Sequence, residues 1–124
     1  MIIVPPKNRA ADFAKPGSRC QEPVGLIDLY PTVTQFCRVE PPEGLDGRSL
    51  VPLLQDPGIS TGRAVVTTFD PGNVTLRTDH WRYIRYADGS EELYDHRTDP
   101  NEWHNLSTDP IHAAQIKKFR RLVP

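Results

Sequence analysis

The sequence predicts an α+β fold: a four-stranded antiparallel sheet with a packed C-terminal helix, preceded by a strand and short helices. Three observations carry this. From residue 63 onward, apolar and β-branched residues alternate in four short runs. The gaps between those runs are short enough to force antiparallel hairpins. Before residue 38 and after residue 109, apolar positions instead recur at steps of three and four, which is helical spacing.

Taken in order, Ile2-Ile3-Val4 is a short β-branched run closed by Pro5-Pro6. That is how the end of a strand buried on both faces reads. Such strands belong to parallel sheets with several neighbours, so the chain is expected to begin inside something larger. Residues 7–22 are polar and broken by Lys15-Pro16-Gly17-Ser18, a turn signal. Leu26, Leu29, Tyr30, Val33, Phe36 and Cys37 keep helical steps. Pro31 suits a first turn, so a helical turn ending near Tyr30 and a second helix starting at Pro31 are expected. Residues 38–48 form a proline- and glycine-bearing loop. Ser49 then caps a short helix through Leu54, with Pro52 in its first turn. The strands are Ala64–Phe69, Asn73–Thr78, Trp81–Tyr86 and Glu92–Asp95. Asp109 caps the last helix and Pro110 is its first residue. That helix runs to about Leu122, with Ile111, Ile116, Phe119 and Leu122 as its apolar face.

Composition narrows the function. Lys+Arg is 15 and Asp+Glu is 16 in 124 residues, a net charge of −1. A nucleic-acid or anionic-membrane surface needs a basic excess, so neither partner is expected. No apolar run approaches the ~18–20 residues of a transmembrane helix. The first residues lack the basic and apolar regions of a signal peptide. Proline is 13 of 124, against a usual ~5%, which forbids long uninterrupted helices.

Catalytic constellations are sought and not found. There is no glycine-rich loop entering a helix to cradle phosphate. Cys20 and Cys37 are too few for a disulfide scaffold and have no nearby His for zinc. They can pair, but free, largely buried thiols are the expected state. His80, His96, His104 and His112 lie in segments of different type and read as surface or loop residues. Ser49 lacks the strand-turn-helix elbow of a nucleophile. Asp28 lies among apolar residues and must be paired or capping if buried. Asn73-Val74-Thr75 and Asn105-Leu106-Ser107 fit the glycosylation pattern but are read as chance matches. Trp81, Tyr83, Tyr86 and Tyr94 could stack on sugars, yet on strands carrying a helix they read as core or half-buried sheet residues.

The residue order says more than any constellation. Pro23-Val24-Gly25-Leu26-Ile27-Asp28-Leu29-Tyr30-Pro31-Thr32-Val33 resembles the "pV-x-l-x-D-l-y-P-T-l" segment of type I sulfatases, in the alkaline-phosphatase-like superfamily. Leu45-Asp46-Gly47-Arg48-Ser49-Leu50-Val51-Pro52-Leu53-Leu54 resembles their "l-D-G-x-S-L-x-P-L-L". Val74–Thr78 and Trp81–Ile84 resemble "a-v-R-T-x-x-y-r-Y-i". Glu92–Asp95, Asp99–Glu102 and Asn105-Leu106 match "E-L-Y-D-l-x-x-D-P-x-E-x-x-N-l". The four motifs stand in family order over residues 23–106, and the iduronate-2-sulfatase-like branch looks nearest.

The resemblance implies that residues 1–62 are the tail of the catalytic α/β domain and residues 63–124 the C-terminal subdomain. It implies calcium and a formylglycine, made from the Cys of C-x-P-S-R, for the complete enzyme. Neither Cys20 nor Cys37 matches that motif, and no family catalytic or metal residue can be carried onto this chain. The expected role is therefore the C-terminal part of a hydrolase of sulfate esters on sulfated sugars, giving scaffold and pocket rim without catalysing alone. The hairpin loop with Phe69, Asp70 and Asn73 is the candidate substrate-binding rim. Two rival readings remain. One is a truncated interaction module that forms homo-oligomers through exposed apolar surface. The other is a carbohydrate-binding domain using the strand aromatics. Family members are often exported.

Overall fold

The computed structural model describes residues 1–4 and 12–124. They divide into two compact units, Met1–Thr61 and Gly62–Pro124. Ile2–Val4 does not form the expected strand: Ile2 is 92% exposed and no strand partner lies beside it among the described residues. Pro5-Pro6, expected to close that run, lies outside the described residues.

In the first unit a 3-10 turn, Leu26–Asp28, runs without a break into helix α1, Leu29–Cys37. The expected turn followed by a second helix is present, with the boundary at Asp28 and Leu29, two residues before Pro31. Pro31 is the third residue of α1, where an N–H would have no intrahelical acceptor, so its absence costs nothing. The inward face of α1 also differs from the apolar spacing. Pro31, Thr32 and Thr34 are buried, whereas Leu26, Leu29, Tyr30 and Val33 are exposed. Helix α2, Val51–Gln55, has Pro52 in its first turn and buries Leu50, Val51 and Leu53. The Ser49 hydroxyl accepts the Val51 N–H at 3.2 Å, but it stands one residue before the cap position, which is Leu50 and makes no side-chain capping bond. The two cysteines are free but exposed, not buried: Cys20 lies in the polar loop, and Cys37 ends α1 on its solvent side.

The second unit is a meander of four antiparallel strands in the order β1-β2-β3-β4: Val65–Thr68, Val74–Arg77, Trp81–Arg85 and Glu91–Asp95. The register aligns Val66, Leu76, Tyr83 and Leu93 across one face. Leu76, Tyr83 and Leu93 are fully buried there. A 3-10 turn, Pro110–His112, opens helix α3, Ala113–Arg120. Asp109 caps the turn by accepting the Ile111 N–H at 2.9 Å. Helix α3 lays Ile116 and Phe119 on that face, and Val123 closes the core behind them. Ile111 and Leu122 do not join it, being 84% and 48% exposed. The 3-10 turn puts Ile111 out of phase with α3, and beyond Arg120 the helix has ended, so Val123 points inward instead.

Beyond β4 the chain is fastened by Asn105. Its side-chain oxygen accepts the N–H groups of Leu93 at 3.0 Å and Ser107 at 2.9 Å, and its amide donates to the Glu91 carbonyl at 3.2 Å. Leu106 N–H adds a backbone bond to the Leu93 carbonyl at 2.8 Å. The side chain thus satisfies the open edge of β4 as a neighbouring strand would. Asn105→Ala strands these backbone groups and is expected to lower stability by about 1–3 kcal/mol. Urea unfolding followed by Trp81 fluorescence reads the loss, and an unchanged midpoint would show that water replaces the bracket.

Candidate functional site

Four groups of polar side chains are organised by these elements. At one end of the sheet the β1–β2 loop carries Phe69, Asp70 and Asn73. Phe69 N–H donates to the Asn73 carbonyl at 3.1 Å, closing the loop. Asp70 stands in the left-handed region, φ +55°, and Gly72 follows at φ +87°. A Cβ on Gly72 would lie 3.0 Å from the Ala87 methyl, so the loop is seated against the β3–β4 turn. The Asn73 side chain accepts the Ala87 N–H at 3.1 Å. Phe69 is 77% exposed. A cavity of about 370 Å³ lies between the turns, lined by Asn73, Tyr86, Ala87, Asp88 and Ser90. The three expected rim residues therefore share one loop, but only Asn73 lines this cavity, and Phe69 and Asp70 face solvent.

The second group lies on the sheet face opposite α3. Arg77 and Arg82 are direct cross-strand partners. Glu102 meets Arg82 Nε at 3.1 Å and His96 Nε2 at 2.6 Å through the same oxygen. It is held in the left-handed region, φ +61°. Burial first, and then Arg82, push the Arg77 guanidinium below its ordinary value. Only the type of residue at these positions was legible in the sequence; the shared face comes from the register.

The third group is the Asp28 lock. Asp28 is fully buried, and its two oxygens accept Gly25 N–H at 2.8 Å and Arg48 N–H at 2.9 Å. Thr32 donates to the Asp28 carbonyl at 2.6 Å while accepting Leu50 N–H at 2.8 Å. The buried carboxylate is thus compensated as a structural one must be.

The fourth group joins α3 to the sheet edge. Arg120 grips Glu91 with two nitrogens, Nε at 2.7 Å from Oε1, and the Tyr83 hydroxyl donates to the same carboxylate. Arg120 holds the Glu91 carboxyl below its usual value, with Tyr83 assisting and burial opposing. Burial first, and the Glu91 acceptor second, push Tyr83 up to about 12. A depressed carboxylate stabilises the fold above its unfolded value of 4.5 and loses that contribution as pH falls through the depressed one. The raised phenol stabilises below 10 and loses its contribution as pH rises to about 12. Glu91→Gln should flatten the acid limb of a stability–pH curve; a limb as steep as that of the parent chain would assign the loss to other carboxylates, with Asp95, held down by Arg97, the first to test.

No cluster of three or more His, Cys, Asp or Glu that could hold a metal occurs among the described residues. The residues present do not fit a calcium–formylglycine centre. His112 stacks edge-on against Trp81 at 5.5 Å instead of converging with the other histidines.

A four-stranded antiparallel meander backed by a C-terminal helix, with its polar side chains spent largely on locks, defines an α+β domain. Residues 3–123 match the family model described as N-sulphoglucosamine sulphohydrolase, C-terminal, and the chain belongs to that family of sulfatase C-terminal domains. It is 31% identical over 108 residues to a sulfatase of Formosa agariphila, covering 87% of this chain and 21% of that protein. It is 36% identical over 128 residues to arylsulfatase K of Gallus gallus, covering 87% and 24%. Among solved structures, it resembles BT4656 in complex with its substrate D-glucosamine-2-N,6-O-disulfate, at a TM-score of 0.64 and 27% identity over 77% of this chain and 22% of that one. It also resembles BT1596, a 2-O GAG sulfatase, at 0.62 and 28% over the same shares. The chain spans between a fifth and a quarter of the length of these relatives.

Proposed function

We propose that this chain serves as the C-terminal part of a sulfatase-like hydrolase that cleaves sulfate esters on sulfated sugars. The observation that carries this is the four motifs in family order within a chain that matches the family model almost end to end. In this reading residues 1–62 complete the catalytic α/β domain, and residues 63–124 are the C-terminal subdomain. Calcium and formylglycine are supplied by the rest of the enzyme. The loop of Phe69, Asp70 and Asn73 forms the pocket rim, with exposed Phe69 offering a ring face to a sugar. The iduronate-2-sulfatase-like branch is the finer assignment, supported by motif resemblance alone.

The test is a chimera in which this chain replaces the matching fifth of the Formosa agariphila sulfatase. A folded chimera should hydrolyse an aryl sulfate, and Phe69→Ala should lower kcat/KM on a sulfated sugar by about tenfold. The chain alone should show no turnover. A folded chimera without turnover, or a chain active by itself, overturns the reading.

One observation favours a second reading, a non-catalytic module that self-associates. Leu26, Leu29, Tyr30 and Val33 form an exposed apolar stripe on the first helical segment. Light scattering at high concentration separates the two: a homo-oligomer dispersed by Val33→Lys supports the module, and a monomer rejects it.

A further inference from the structure

The pairing of β2 with β3 sets Arg77 directly opposite Arg82. Like charges facing each other across strands destabilise a sheet unless something compensates them. Arg82 is compensated. Glu102 accepts a hydrogen bond from its Nη1 at 3.3 Å and forms an ion pair 3.1 Å from its Nε, although that nitrogen itself makes no hydrogen bond. Arg77 is not. Its Nη1 is shielded from solvent and meets no acceptor.

The two carboxylates with electrostatic influence on Arg77 are Glu102 and Asp79, and both are committed elsewhere. Both Glu102 oxygens serve Arg82, and one also meets His96 Nε2 at 2.6 Å. Asp79 accepts the His80 N–H at 2.8 Å and meets the His80 ring at 3.3 Å. The other chargeable groups on this face are Glu92, Tyr86 and Tyr94, and Glu92 accepts both phenols, at 3.2 and 2.9 Å. No element of Gly62–Pro124 packs on this face as α3 packs on the other. Thr75 shares the face with Arg77, two residues earlier on β2.

We infer that Arg77, with Arg82 beside it, is an oxoanion site that takes the sulfate group of a sulfated sugar. A guanidinium presents parallel N–H donors to two oxygens of such a group, and Arg77 Nη1 meets no acceptor among the described residues. The choice of a sugar sulfate rests on the sulfatase reading above; the need for an oxoanion rests on the strand register and the orphaned nitrogen.

The test uses the whole chain and follows arginine Nε–H and tryptophan indole signals by NMR at constant ionic strength. The probes are sodium sulfate, glucosamine 6-sulfate, unsulfated glucosamine and sodium chloride. Saturable shifts at Arg77 are expected with the first two, absent with the last two, and weakened at least tenfold in Arg77→Met. Arg77→Lys, which keeps charge without the fork, guards against misfolding and should bind more weakly than the unaltered chain but more tightly than Arg77→Met. No shift beyond the chloride control, or identical binding by Arg77→Met, overturns the site. Binding of sulfate ion but not of the sugar sulfate overturns the assigned ligand. Each of these failures leaves the chimera experiment free to succeed, so the two readings fall separately.

Discussion

Gly47→Ala is expected to unfold the first unit or nearly so. A Cβ at this position would lie 2.1 Å from the Ile27 carbonyl oxygen and 2.7 Å from its carbon. Both are backbone atoms, so no side-chain rotation relieves the clash. The cost should be about 3 kcal/mol or more, at the upper end of overpacking effects. The same approach that excludes a Cβ brings Arg48 N–H onto Asp28. Asp28→Ala should therefore weaken the same contact from its other side, by about 2–5 kcal/mol, because two backbone N–H groups lose their acceptor. Amide exchange at Gly25 and Arg48 reads both variants directly. Exchange as slow as in the unaltered chain would mean that the loop is held by something other than this carboxylate.

Phe119→Ala should be the most damaging change in the second unit. Phe119 is 1% exposed and lies 5.8 Å, ring to ring, from Tyr83, itself fully buried. Removing a buried Phe costs about 3–5 kcal/mol, and small domains have only about 5–15 in total. Leu122→Ala is the matched control. It was part of the helical face by spacing but stands half exposed, so it should shift stability by no more than about 0.5 kcal/mol. Urea unfolding followed by Trp81 fluorescence compares the two. Equal losses would place Leu122 in the core and contradict the geometry.

Much of the fold could be read directly. The four strands lie within a residue or two of their expected limits, because period-two alternation and short turns leave few other arrangements. Asp109, Pro110 and Pro52 punctuate helices as their chemistry requires. The inward face of the first helix could not be read. Leu26, Leu29, Tyr30 and Val33 hold the apolar spacing, yet Asp28 and Thr32 point inward. Periodicity reports which residues would prefer burial, and it cannot report that a carboxylate will find one amide three residues back and another twenty residues on. For the candidate site, the loop of Phe69, Asp70 and Asn73 was legible as a hairpin tip. The Arg77–Arg82–Glu102–His96 group was not, since its members come from two strands, the residue after a third and a distant turn.

By itself, the sequence determined the meander, the capped C-terminal helix and membership of a sulfatase-type chain, because these rest on local spacing, turn chemistry and motif order. Only the tertiary structure decided what the motifs are for. It showed that "D-l-y-P-T" and "D-G-x-S-L" are the two halves of one lock, and that the Asn of "E-x-x-N-l" is a side chain standing in for a strand. It also showed that two arginines five positions apart along the chain face each other across the sheet, with Glu102 paired to Arg82 alone. Each of these depends on hydrogen-bond partners distant in sequence, and those are fixed by how the chain closes on itself.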